Sequence, residues 1–345
     1  MQIAIIGRGF AGLALAYYLS EFPHTQVYLF DQAPLGISAS GTACGLLHPF
    51  SGAKSRKTWM ADVGMQTTKE LIEIVENFLN EKICIREGIT RPATNADQLK
   101  DYKLALSKYS DLLWLDEKES VEKIPFINCQ GSLFIPNGIS LFVNDYLLGL
   151  YQICLEKKVC FVEKKITTLK ELENFDAIVA ATGSDTLTIE ELKTLPLRKT
   201  KGQILKLSWP LNLPQLQSAI VSHVYMSKAK NPSEFYLGAT YERSPVPPGV
   251  DLESAKALLL PKAYELIDDL KKSDILECKA GFRMFSPDNI TPIAGKTAYK
   301  NTWIFSGLGS KGLLHHAWIA KALSRAIVND DYQQLPKELY FRLLK

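Results

Sequence analysis

The 345-residue chain has only six cysteines, and no two of them form a CxxC pair. Cys44, Cys84, Cys129, Cys154, Cys160 and Cys278 are scattered, which argues against a zinc site and a disulfide framework. A reducing, cytoplasmic setting is expected. Charge of one sign is lacking too: 40 Lys and Arg stand against 37 Asp and Glu, a net +3. That balance leaves no broad electrostatic footprint for nucleic acid. No uninterrupted apolar stretch reaches the roughly 18 residues of a membrane span. Residues 3–19 are apolar but have no basic start and are broken by Gly7, Arg8, Gly9 and Gly12, so a signal peptide is not expected either. Internal repeats and low-complexity linkers are absent. What remains is ordinary globular composition, 46% hydrophobic and 22% charged, at a length that favours two domains.

Residues 2–6 form an apolar run ending in glycine, as a strand covered on both faces would. Residues 11–20 follow as a helix and 26–31 as a second strand, a β-α-β unit of mononucleotide-fold length. Helical spacing recurs over 62–80, 144–158 and 313–328. Short strands are expected at 131–135, 160–162, 175–181 and 302–305. Residues 201–207, 219–226 and 234–241 suit antiparallel strands, and 251–272 a helix that Pro261 kinks or divides. Nucleotide-type elements thus occupy both ends and a middle piece. The expectation is an α/β chain in which a Rossmann-type domain (1–82, 140–200 and 276–345) interleaves with an α+β substrate domain on an antiparallel sheet (83–139 and 201–275).

Gly7-Arg8-Gly9-Phe10-Ala11-Gly12 lies between a strand and a helix, the context a dinucleotide fingerprint requires. Gly7 permits the tight turn, Gly9 lets the backbone approach a pyrophosphate, and Gly12 lets helix and strand pack closely. The helix start offers free N–H groups to phosphate. Asp31, with Gln32 beside it, ends the second strand where an acid would bond the adenosine ribose; it disfavours a 2′-phosphate. A second glycine turn, Thr182-Gly183, closes the 175–181 strand. A third, Gly307-Leu308-Gly309-Ser310-Lys311-Gly312, opens the last helix. Its N–H groups suit the pyrimidine carbonyl of an isoalloxazine, which favours FAD over a nicotinamide. Lys311 either adds charge there or is a solvated loop lysine.

Together with Ala180-Ala181-Thr182-Gly183 and Lys201-Gly202-Gln203, these motifs resemble the D-amino-acid oxidase superfamily over nearly the full length. Ala39-Ser40-Gly41-Thr42, Gly45-Leu46-Leu47-His48-Pro49, Gly238-Ala239-Thr240-Tyr241 and Ser286-Pro287-Asp288 resemble most the flavin domain of the bifunctional enzyme that makes 5-methylaminomethyl-2-thiouridine in tRNA. No methyltransferase domain precedes residue 1, so that partner activity is not expected of this chain. Lys311 stands where that branch would carry arginine.

The resemblance implies FAD as cofactor, with Ser40, Gly41, Gly45 and Leu46 running along it. It implies dehydrogenation of a C–N bond in a secondary amine or small amino acid. Arg283 is the residue implied to hold a substrate carboxylate; the alternative is an ion pair with Asp288. Tyr241 either shapes the pocket or merely packs. His48 is expected to be a polar loop histidine and Cys44 a small buried thiol, while His315 and His316 face the ring or solvent. No acid at metal-ligand spacing accompanies them, so no metal is expected. Lys54-Ser55-Arg56-Lys57 with Trp59 is the one local basic cluster with an aromatic; it either touches tRNA, is a solvated loop, or brings Arg56 and Lys57 to the flavin edge. Two further activities stay open: oxidative removal of a carboxymethyl group from a modified tRNA uridine, and flavin binding without turnover.

Overall fold

In the computed structural model, residues 1–243, 246–340 and 343 are described. Alternation of apolar side chains builds the first sheet. Ile3, Ile5, Val27, Leu29, Ala177 and Val179 enter one buried cluster, while Ala4, Ile6, Phe30, Ile178 and Ala180 enter another on the opposite face. Both faces are therefore covered, as a parallel sheet requires. Its six strands run in the order Cys160–Val162, Gln26–Phe30, Gln2–Ile6, Ala177–Ala180, Thr302–Ser306, Ile293–Lys296. All neighbours are parallel except the last pair. Ile5 pairs with Leu29 on one side and Val179 on the other. The chain thus leaves Gln2–Ile6 in both directions, which opens a crevice at the carboxyl ends of these strands. Helices Phe10–Ser20, Ala61–Leu79, Val143–Glu156 and Gly312–Val328 cover one face and supply most of its core.

Among the described residues the second sheet has nine strands. Eight follow the order Glu242–Arg243, Arg198–Ser208, Glu234–Gly238, Tyr225–Lys228, Ala219–Val221, Ile89–Pro92, Ser132–Ile135, Leu113–Leu115. The ninth, Ile275–Phe285, pairs along the length of Arg198–Ser208. The helix Leu252–Leu266 packs on this sheet through Ala255, Leu259, Ala263 and Leu266.

Several expectations are corrected. Residues 219–226 are not one strand: Ser222 N bonds Val224 O and folds them into a hairpin. The sheet is not wholly antiparallel, because Ala219–Val221 runs parallel to Ile89–Pro92. The helix expected over 251–272 passes through Pro261 and ends at Leu266, and Asp268–Lys272 is a separate 3₁₀ turn. Residues 276–285, given to the nucleotide side by a boundary at 276, lie in a strand that hydrogen-bonds in the second sheet instead. Ten residue pairs along the two strands outweigh any local preference, and sequence spacing carries no sign of that partner.

Candidate active site

Four carboxyl ends of the parallel sheet meet at one cleft. Gly7, after the first strand, has φ +106°, and a Cβ there would lie 2.5 Å from Ala181 O. At Gly12 a Cβ would lie 1.8 Å from Gly7 O, so the helix sits against the turn only because that position is bare. Gly9 differs: the nearest atom to its missing Cβ is the Ser40 hydroxyl, at 2.9 Å. Ser40 Oγ also accepts from Phe10 N at 3.1 Å. Asp31 follows the second strand; its two oxygens accept from Arg8 N (2.7 Å) and Ala33 N (2.9 Å), which holds the carboxylate at the rim.

From this rim a cavity of about 590 Å³ extends to the second sheet. Gly7, Gly9, Phe10, Ala11, Asp31, Ser40, Gly45, Leu46, Thr182, Gly183, Gly307, Gly309, Ser310, Lys311 and Gly312 all lie on its wall. Three expected residues do not. Gly12 is spent on packing, Gly41 is buried against Gly36 O, and Gln32 turns to a separate shallow cleft with Lys164 and Lys165. Arg8, the second residue of the fingerprint, is also on the wall; its Nη2 donates to Ala33 O at 2.6 Å.

At the far end stands Arg283, on the Ile275–Phe285 strand. Its guanidinium lies across Gly202, where a Cβ would come within 2.5 Å of Nη2. Nη2 donates to Thr240 O at 2.8 Å, and Tyr241 lies 5.6 Å from the charge. Burial lowers the Arg283 pKa, opposed by Tyr225, Tyr241 and Cys44. The expected alternative, pairing with Asp288, is not what forms: Asp288 accepts from Ser286 Oγ, Ile290 N and Thr291 N. Among the described residues no carboxylate lies within 4.0 Å of Arg283. Tyr241 is 52% exposed, packs on Phe285, and lies off the wall; Tyr225 lines the cavity in its place.

Lys311 is half-buried and donates to Asn289 O at 3.0 Å; burial lowers its pKa. His48 is half-buried on the cavity wall, and burial followed by the nearby Arg91 charge pushes its pKa down to about 3. Cys44 is on the wall as an uncharged thiol, pushed up to about 12 by burial. His315 and His316 face neither a ring site nor solvent. Both are buried in the last helix: His315 Nδ1 accepts from Trp318, and His316 bonds Leu313 O and Tyr146 OH. The basic cluster is partly neutralised, since Lys57 pairs with Asp62 at 2.7 Å, and Trp59 packs on Trp318. Among the described residues no group of three His, Cys, Asp or Glu could hold a metal, and no helix is long and apolar enough to cross a membrane.

The profile of the FAD dependent oxidoreductase (DAO) family matches residues 2–326. The chain belongs to this family. A tRNA 5-methylaminomethyl-2-thiouridine biosynthesis bifunctional protein of Hydrogenovibrio crunogenus is 23% identical over 97% of this chain and 57% of that protein. Mouse mitochondrial dimethylglycine dehydrogenase is 23% identical over 96% of the chain and 42% of its own length. The chain therefore spans about half the length of such curated relatives. Among solved structures, glycine oxidase from Geobacillus kaustophilus superposes with a TM-score of 0.82 at 20% identity, covering 95% of this chain and 94% of that one. Iminodiacetate oxidase from a Chelativorans species gives 0.83 at 20% identity, covering 98% of each. FAD is the cofactor of this DAO protein, and the cleft fits it. A bare glycine turn and helix start face the cavity at one end. A second glycine turn ahead of the last helix faces it from the other side, and the wall between them is continuous.

Proposed function

We propose that this DAO protein oxidises the C–N bond of a small secondary amine or amino acid whose carboxylate is received by Arg283. One observation carries the reading: a half-buried guanidinium without a carboxylate partner lines the cavity that begins at the fingerprint. A planar fork presents paired N–H donors to a carboxylate, which fixes orientation as well as affinity. Among the described residues the acids on the wall are Asp31 and Asp185, both at the fingerprint end. No protein carboxylate therefore competes with the substrate's at the far end, where Arg91, Arg283 and Lys311 make the wall positive. Glycine oxidase and iminodiacetate oxidase, which share the fold, support a carboxylated amine.

In this reading Gly7, Gly9, Phe10 and Ala11 hold the pyrophosphate and Asp31 the ribose. Ser40, Gly45 and Leu46 run along the cofactor, and Gly307 to Gly312 meet the pyrimidine edge. Bound FAD would supply the two-electron acceptor for the hydride that leaves the substrate carbon. The chain's part is to orient that C–H bond and to keep the amine in its neutral form, whose lone pair drives hydride out. The uncharged His48 and Cys44 add no carboxylate-like partner that would hold the amine protonated.

Anaerobic mixing of the purified holoprotein with glycine, sarcosine, proline and bulk tRNA tests the proposal. Bleaching of the flavin by a small amine is the expected result; bleaching by modified tRNA alone would overturn it. Arg283→Met should raise the apparent substrate constant about 10- to 100-fold, the equivalent of a charged hydrogen bond of about 1.5–3 kcal/mol, with FAD content unchanged. An unaltered constant would remove Arg283 from this role.

A further inference from the structure

Arg91 is a second cation on the same wall, and unlike Arg283 it is fully buried. It sits in the Ile89–Pro92 strand, paired to Ala219–Val221 and Ser132–Ile135, and is 3% exposed. A guanidinium carries five N–H donors. Nη2 donates to Gly52 O at 2.7 Å and Nη1 to Phe50 O at 3.4 Å, while Nε is buried with no partner. Among the described residues no carboxylate lies within 4.0 Å, and Tyr102 backs the charge at 5.4 Å. Two backbone carbonyls thus aim the group without neutralising it. Burying a cation without a counter-charge is costly, so an anion that reached this group from the cavity would relieve that cost.

The surroundings point the same way. His48 Nδ1 and Ser222 Oγ are both buried without partners, and both residues line the cavity beside Arg91. His48 feels the Arg91 charge and stays uncharged. The wall here therefore offers a cation flanked by neutral hydrogen-bonding atoms. Arg8, the other arginine with a buried unpartnered Nε, belongs to the fingerprint end through Ala33 O and needs no substrate to explain it.

We propose that Arg91 receives a second anionic group on the substrate, so that the cavity selects dianionic amines, such as N-(carboxymethyl) amino acids with another carboxylate beyond the nitrogen, over simple monocarboxylates. This rests on the reading in which Arg283 takes the first carboxylate. Selectivity then comes from two fixed cations of one cavity, each left unsatisfied by the wrong ligand.

Inert isosteres separate this from the oxidation reading, because binding is read without turnover. Thiodiacetate and (methylthio)acetate replace the N–H of iminodiacetate and sarcosine with sulfur, and each is titrated into oxidised holoprotein while the flavin absorbance is followed. Thiodiacetate should bind at least tenfold more tightly than (methylthio)acetate. Arg91→Met should erase that preference while changing (methylthio)acetate less than threefold, and Arg91→Lys, which keeps charge without the fork, should fall between. Arg283→Met should weaken both ligands about tenfold; if it weakens neither, the Arg283 reading fails while Arg91 can still be judged. A merely structural Arg91, tying Phe50 and Gly52 to the sheet, would lower Tm and weaken both ligands together, which overturns the proposal. Should Arg91→Met fail to fold, the wild-type comparison decides: equal affinity for the two isosteres refutes it.

Discussion

Within the fingerprint, three glycines answer to three different constraints, and single substitutions separate them. Gly7 is held by its backbone angle and Gly12 by the 1.8 Å that a Cβ would leave to Gly7 O. Gly9 meets only a serine hydroxyl, which can turn aside. Gly9→Val should therefore fold, with the far-UV spectrum of the FAD-stripped wild type, yet come off the column colourless; a yellow protein with one FAD per chain would refute the assignment. Gly12→Ala acts on the fold itself. Its clash is with backbone, and unfolding in urea should show a loss of about 3 kcal/mol or more even without FAD. These roles were legible because a turn and a close approach depend on consecutive residues. Arg91 and Tyr225 were not, since a single charge or ring in a short strand says nothing about the wall it joins.

The Gly312–Val328 helix belongs to both the cleft and the core. Its first turn faces the cavity, while Leu313, Ala317, Ile319, Ala320 and Leu323 pack against Phe10–Ser20 and Ala61–Leu79. Gly64 of the latter helix comes so near that a Cβ would lie 2.5 Å from Leu314 O. His315 and His316 are buried in this contact, and burial first of all pushes their pKa values down to about 3 and about 4. An unfolded histidine titrates near 6.5. Between that pH and the folded values the unfolded chain binds protons that the native one does not, so stability falls as pH drops and is level above about 7. The slope is at most about 1.4 kcal/mol per pH unit for each ring. Thermal midpoints should be alike at pH 7.5 and 8.5 and clearly lower at pH 5; a flat profile to pH 5 would show that these rings are not held neutral. Helical spacing revealed the element, but the depth of two adjacent histidines depended on which helices surround them.

At the scale of the whole molecule, the cavity wall is assembled from residues 7 to 314, so that cofactor binding ties both chain ends to the second sheet. A ligand that binds only the folded form stabilises it by mass action. At a hundredfold excess over Kd that is about 2.7 kcal/mol, or a shift of about 5 °C in Tm for a chain of this size. Stripping FAD should lower Tm by about that amount or more, and adding it back should restore it. An unmoved midpoint would mean that the two ends do not share one ligand.

Local order in the chain was enough to settle the parallel sheet, the three glycine turns, Asp31 at its strand end, and with them the flavin class. Each depends on backbone angles and side-chain alternation over a few neighbouring residues. Tertiary structure alone decided that residues 275–285 pair with 198–208, that Thr240 and Gly202 hold and admit Arg283, and that Arg91 opens on the same space. Those contacts join segments tens to nearly two hundred residues apart. Strand register at that range is chosen by the sum of packing on both faces, a quantity that no short stretch of sequence contains.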